Sequence, residues 1–399
     1  MKKGVYICDA VRTLHGSFCG ALKNLSSSDL GSVVIKALLE RNHLPAYMVQ
    51  GVFMGEVLTA GEGQNPARHA ALKAGLPPEC QAETFNKVCA SSLVALRHAT
   101  NMIKLDEASC MIAGGMENMS RAPYIIRRGA KRLGDETLSS LYIKSGKESP
   151  REAYDSMLYD GLSEPSAPNR PHMGLIAEAC ASQYGITREA QEEYAIDSFA
   201  RANAAHDVGL FAGSTVVEQG LVKDEGLRLP DIAKMKRLPP AFDKNGTITA
   251  ATSAQIADGA SALFIADESV VHHMAVEPLA RICDFAVCSQ DPMWYTTAPI
   301  GAIQQLLGNC GLKVGDIDLV EINEAFAVVP RYAMNQLGIP REKMNIWGGS
   351  IAIGHPLGAT GTRIVGQLAY QLRAFNKKRG IAVACNGGGE AVAVLLERV

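Results

Sequence analysis

Apolar residues recur at spacings of three and four at Leu93, Leu96, Ala99 and Ile103, which predicts a helix with one buried face. Ile364, Leu368, Leu372 and Phe375 repeat that spacing near the other end of the chain and predict a second such helix. Two short apolar runs, 110–113 and 381–385, lead into Gly114-Gly115 and Gly387-Gly388 and read as buried strands. Helices over 33–39 and 300–307 come earlier in each half, and later helices stop at Gly75-Leu76-Pro77 and Gly338-Ile339-Pro340. These features form two copies in constant register: Leu39 and Leu307, like Glu56 and Glu324, lie 268 residues apart. Strand and helix alternating in two copies predicts an α/β protein with two similar sheets. If the copies pack about a pseudo-twofold axis, the loops bearing Cys89 and His355 are equivalent and face one another.

Residues 119–249 break the repeat. Arg121 to Arg151 holds eight basic residues against three acidic ones, 173–211 is helical in pattern, and 216–242 has short strands and prolines. Apolar residues 260–266 then resume the first fold as a buried strand. The expected division is an N-terminal half of 1–118 with 250–275, an inserted loop domain of 119–249, and a C-terminal half of 276–399.

Composition narrows the classes. A chain of 399 residues, 47% hydrophobic and 20% charged, can bury two or three substantial cores. A net charge of −2 gives no support for nucleic acid as a partner. The N-terminal run, cut by Asp9, reads as a first strand rather than a signal peptide, and no apolar stretch is long enough to span a membrane. Ten scattered cysteines without a Cys-x-x-Cys pair argue against structural zinc and suit a reduced, cytoplasmic setting.

Cys89 sits in Asn86-Lys87-Val88-Cys89-Ala90-Ser91-Ser92, where a polar turn enters the first helix. Taken alone it reads either as a small buried hydrophobe or as a nucleophile whose thiolate is favoured by the helix dipole. Ser91 and Ser92 are candidates to cap that helix. His355 lies in Gly354-His355-Pro356; proline suits the first position of a following helix, whose dipole would keep the imidazole neutral and basic. Cys385, before Gly387-Gly388-Gly389, reads either as a core strand residue or as a thiol exposed at a crowded turn.

Read together, Asn86 to Ser91, Met173-Gly174 with Ala177-Glu178, Asn323-Glu324-Ala325-Phe326-Ala327, Gly354-His355-Pro356-Leu357-Gly358 and Cys385 with its glycines resemble the thiolases. The resemblance covers essentially the whole chain. It implies a thiolase-like fold, two duplicated βαβαβαββ halves in a five-layer αβαβα core with an inserted loop domain. The implied reaction joins two acetyl-CoA into acetoacetyl-CoA and CoA, reversibly, through an acyl-Cys89 intermediate. His355 would take the Cys89 proton, and Cys385 would move the α-proton, as a thiol of ordinary pKa can in either direction. One oxyanion site would use His355 and a water held by Asn323; the other would use the backbone N–H groups of Cys89 and Gly387. Ser253 and His172 would touch the pantetheine, and Met173, Ala325 and Phe326 would line its channel. No permanent cofactor and no metal is implied; coenzyme A and acyl-CoA are substrates, and a homodimer or homotetramer is expected.

Three places depart from the pattern. Ser92 stands where a glycine is usual, Glu390-Ala391 continues the glycine run, and Tyr295-Thr296 replaces a Met-Gly pair beside the acyl pocket. Chain-length preference is therefore the property least defined, and a 3-ketoacyl-CoA thiolase of fatty-acid β-oxidation is the main alternative. Cys385 argues against a ketoacyl-carrier-protein synthase. The complete set of Cys89, Asn323, His355 and Cys385 argues against a non-catalytic lipid-binding relative.

Overall fold

A computed structural model of the chain describes residues 3–126 and 153–399. The first half comprises β1 (Val5–Thr13), α1 (Ser27–Arg41), β2 (Gly51–Gly55), α2 (Pro66–Lys73), β3 (Gln81–Phe85), α3 (Ser91–Lys104) and β4 (Cys110–Asn118). Two longer helices follow, α4 (Met173–Gln183) and α5 (Arg188–Asp207), before β5 (Ala257–Asp267). The second half comprises β6 (Ala280–Ser289), α6 (Ala298–Cys310), β7 (Leu319–Ile322), α7 (Val328–Leu337), a four-residue α8 (Ser350–Ile353), α9 (Thr360–Ala374), β8 (Arg379–Asn386) and β9 (Glu390–Glu397).

Each half builds the same ladder. β2 runs parallel to β4, which pairs antiparallel with β5 and through it with β1; β7, β8, β9 and β6 repeat that order. Where the first half adds β3 beside β2, the second has a single bridge between Val320 and Met344. A short antiparallel pairing of Tyr6 with Arg281 and Ile7 with Ala280 joins the halves.

Side-chain chemistry sets the layers. Leu30, Val34 and Leu38 of α1 pack on Val52, Ile112 and Phe264 of the first sheet. Leu306 and Val329 of α6 and α7 cover Val320, Ile381 and Val383 of the second. Between the sheets, Leu93, Leu96 and Ile103 of α3 meet Ile364, Leu368 and Leu372 of α9 in one apolar cluster shared by both halves. That arrangement is the αβαβα core. Each such side chain contributes about 1.5–3 kcal/mol through burial.

α9 is buried on nearly every face, so its polar residues find partners inside the protein. Thr362 donates its backbone N–H to Ser92 Oγ of α3 at 3.0 Å. Ser92 thus caps the neighbouring helix rather than its own, which accounts for a side chain where a glycine was expected. Gly361 permits the approach: a Cβ there would lie 2.7 Å from both Leu93 N and Ser92 Oγ.

In the intervening region the helical pattern of 173–211 holds, in two pieces, and the strands expected over 216–242 do not. The helical stretch 173–211 is two helices, because Gly185 turns left-handed at φ 61° and Thr187 Oγ1 caps α5 by accepting from Ala190 N. Among the described residues of 216–242 there is little strand; Asp231 instead caps a short helix, Ile232–Lys236. Most of the basic segment 121–151 lies outside the described residues.

Candidate active site

The two repeated loops meet. Cys89 precedes α3 on a tight turn in which Val88 holds φ at 48°, an uncommon conformation for a β-branched residue. Asn86 Oδ1 accepts from Val88 N, and Ser91 Oγ accepts from Lys87 N while donating to Val88 O. Ser91 therefore braces the turn, and α3 has no side-chain cap of its own. The turn aims Cys89 Sγ at His355 Nε2, 3.2 Å away.

His355 is not at a helix start. α9 begins only at Thr360, and Pro356 sits in the intervening turn, its carbonyl accepting from Ala359 and Thr360 N. Burial, rather than a dipole, keeps the ring neutral: enclosure, aided by Arg363 and His15, pulls its pKa down to about 3. With its hydroxyl proton on Pro356 O at 2.8 Å, Thr360 Oγ1 is placed at 2.7 Å to accept the His355 Nδ1 proton. Nε2 is left with its lone pair toward Cys89.

The thiols also differ from expectation. Burial pushes Cys89 up to about 12, so the pair rests as neutral thiol and neutral imidazole. A thiol in this state can attack a carbonyl only if its proton is transferred at the same time, as general-base catalysis would provide. Cys385 is fully buried at the end of β8 rather than exposed at a turn, and burial with the nearby Cys89 raises it well above the ordinary thiol range. The unusual backbone lies further on, at Gly388 (φ 88°) and Gly389 (φ 80°).

One cavity of about 180 Å³ unites these groups. Cys89, His355, Cys385 and Gly387 line it, and so do all five expected substrate contacts, Ser253, His172, Met173, Ala325 and Phe326. His172 caps α4 through Nδ1 and stacks on Phe242 at 4.7 Å. Asn323 stands apart: fully buried, it does not line the cavity but meets His355 Nε2 through Nδ2 at 3.2 Å.

Several supporting residues had not been anticipated. Glu117 accepts from Val57 N, Leu58 N and Gly358 N, clamping the loop after His355 to the first half. Glu164 accepts from Gly388 N and steadies the glycine loop. A charged or polar residue inside an otherwise buried segment was the available signal, as for Arg363 in α9. The departures gain contacts too: Lys87 pairs with Glu390, tying the Cys89 loop to the Cys385 loop, and Tyr295 donates its hydroxyl to Met173 O at 3.1 Å while lining the cavity.

A duplicated α/β core that brings a thiol, a neutral imidazole and a second thiol to one apolar cavity has the arrangement of an acyl-transferring enzyme. The chain belongs to the thiolase family: the thiolase N-terminal domain matches residues 5–269 and the thiolase C-terminal domain residues 276–398. It is 41% identical to the mitochondrial acetyl-CoA acetyltransferase A of Xenopus laevis, over 99% of this chain and 92% of that protein. Among solved structures, Acat5 thiolase from Ascaris suum in complex with coenzyme A superposes with a TM-score of 0.91 at 37% identity, covering 100% of both chains. Human mitochondrial 3-ketoacyl-CoA thiolase in complex with CoA also reaches 0.91, at 34% identity, covering 100% of this chain and 98% of the other.

Proposed function

We propose that this thiolase is an acetyl-CoA C-acetyltransferase. Cys89 Sγ attacks the thioester carbonyl of acetyl-CoA as its proton passes to His355 Nε2, and the CoA thiolate leaves with that proton. Acetyl-Cys89 and free CoA result. Cys385, its own proton first released to solvent, takes an α-proton from a second acetyl-CoA, and the resulting enolate attacks the acetyl group and expels Cys89 as a thiolate, which regains a proton from solvent. The product is acetoacetyl-CoA. Backbone N–H groups of Cys89 and Gly387 stabilise the tetrahedral oxyanion, each worth roughly 10²–10³ in rate.

The observation carrying this reading is the 3.2 Å contact of Cys89 with His355 in a cavity that Cys385 also lines. Since burial holds Cys385 as a thiol, its resting form suits thiolysis, in which it donates a proton to the departing enolate. Preference for the acetyl group is supported by Tyr295, a bulky side chain that lines the cavity, buried and tethered to Met173. A second reading, a 3-ketoacyl-CoA thiolase of β-oxidation, has support in the likeness to the human enzyme of that name.

The deciding experiment compares thiolysis of acetoacetyl-CoA with that of 3-ketoacyl-CoAs of increasing length, with and without Cys89→Ala. Preference for long chains favours the second reading; activity surviving Cys89→Ala removes the mechanism. The domain division at 119 and 249, a cytoplasmic location and a homodimer or homotetramer belong to the same proposal. Among the described residues no helix is long and apolar enough to cross a membrane. Light scattering reads the assembly.

A further inference from the structure

Asn323 can present either end of its amide to His355, and the two ends have opposite consequences. With Nδ2 toward Nε2, a donor meets a lone pair and the neutral Nδ1–H form of the ring is favoured. With Oδ1 there, an acceptor would recruit a proton onto Nε2. That tautomer cannot take the Cys89 proton. Thr360 would permit it, because its hydroxyl can rotate from Pro356 O to donate to Nδ1 instead.

The structure holds a device that decides between the two ends. Arg363 Nη2 donates to Ser350 Oγ at 2.7 Å, and a guanidinium can only donate. The Ser350 hydroxyl proton is thereby directed to its other neighbour, Asn323 Oδ1, at 2.6 Å. The amide oxygen is engaged on that side, so Nδ2 faces His355. Ser350 and Asn323 are fully buried and Arg363 is 3% exposed, leaving no bulk water to substitute for a missing link. None of Arg363, Ser350 or Thr360 lines the cavity.

We infer that Arg363 and Ser350 are positioning residues that set the orientation of the Asn323 amide and, through it, the tautomer of His355 that serves as base to Cys89. This rests on the thiol–base reading of the site. Loss of an outer hydrogen-bond partner of a metal-ligating histidine commonly costs about 10–100-fold, and by analogy that order is expected for this buried base.

The test uses Ser350→Ala and Arg363→Lys, the latter keeping a cationic donor of shorter reach. Three quantities are read on the full chain: the rate of Cys89 alkylation by iodoacetamide, resolved by peptide mass; the rate of Cys89 acetylation by acetyl-CoA; and kcat and KM for acetoacetyl-CoA thiolysis. Ser350→Ala should slow alkylation, acetylation and kcat together, roughly 10–100-fold, with KM within twofold. Arg363→Lys should fall between Ser350→Ala and the parent. Alkylation within twofold of the parent in both variants would overturn the inference, as would a loss confined to KM or to thermal midpoint. Should Ser350→Ala fail to fold, Arg363→Lys with unchanged alkylation still overturns it. Failure of the underlying reading looks different: the parent protein itself would then acquire no acetyl group on Cys89.

Discussion

Replacing His15 by Gln should make the protein relatively less sensitive to acid. His15 is 1% exposed, and its Nδ1 donates to Ile353 O at 2.9 Å, just before the turn that carries His355. The charged and titratable groups facing it are Arg12, Asp224, Arg363 and His355. Burial, reinforced by Arg12 and Arg363 and opposed by Asp224, lowers its pKa to about 3. Between the ordinary value near 6.5 and that figure, the unfolded chain binds a proton that the folded chain refuses, so stability falls as pH falls through this window. At about 1.4 kcal/mol per unit, His15 alone removes roughly 2–3 kcal/mol between pH 7 and pH 4.5. Gln keeps a donor for Ile353 O but does not titrate. His355 also sits near 3, and buried Glu117 and Glu321, pushed up to about 7, titrate in the opposite sense. Glu117 and Glu321 are common to both proteins and cancel in the comparison, while loss of His15 removes one of the groups that depress His355, a change in the same direction as the one predicted. Paired denaturant titrations, followed by tryptophan fluorescence from Trp294 and Trp347, give the stability gap at each pH. The gap should narrow by roughly 2–3 kcal/mol on going from pH 7 to pH 4.5. A gap constant to within about 0.5 kcal/mol would mean that His15 is not held neutral in the folded protein.

Gly115→Ala should cripple turnover, since a Cβ there would lie 2.0 Å from the Gly358 carbonyl oxygen in the loop after His355. Displacing the base by about 1 Å can cost on the order of 10²-fold in kcat, read by steady-state thiolysis; a kcat within threefold of the parent would contradict this. Gly361→Ala should lower the thermal midpoint by the equivalent of about 1–3 kcal/mol, because the clash with Leu93 N and Ser92 Oγ outweighs the roughly 1 kcal/mol of helix propensity that alanine adds. Cys385→Ser should abolish α-proton exchange of acetyl-CoA in deuterated water yet spare acetylation of Cys89 by mass; equal loss of both would mean that the two thiols do not divide the work. Tyr295→Ala should shift thiolysis toward longer 3-ketoacyl-CoAs, and an unchanged chain-length profile would remove Tyr295 from the acyl pocket.

Much of the architecture was legible because burial leaves a period in the chain. The stripes of Leu93, Leu96 and Ile103 and of Ile364, Leu368 and Leu372 marked the two central helices, and the repeat of 268 residues implied that their loops would meet. Protonation was not legible. A thiol at a helix start suggests a low pKa, but enclosure between the sheets raises Cys89 to about 12, and the term that wins depends on neighbours that the local sequence does not name. The neutral imidazole was correctly expected for the wrong reason. Four residues of turn separate His355 from α9, so depth and Arg363, rather than a dipole, suppress its charge.

The fastenings between the halves escaped for a related reason. Hydrophobic periodicity reports which face of an element is buried, not whose backbone that face meets. Ser92 was unexplained as a member of α3 and becomes intelligible only as a cap on α9. Glu117 similarly closes a strand of the first half while holding Gly358 in the second, and Glu390, an oddity in a glycine run, pairs with Lys87 of the other half. In each case a polar side chain from one half engages the other, close to a loop that bears a reactive group. Such bonds trade little stability individually, about 0.5–1.5 kcal/mol for a neutral one, but they fix separations that the apolar layers alone leave free to slide. The contact between Cys89 of one half and His355 of the other needs that constraint, since 3.2 Å does not survive a slip of even one ångström.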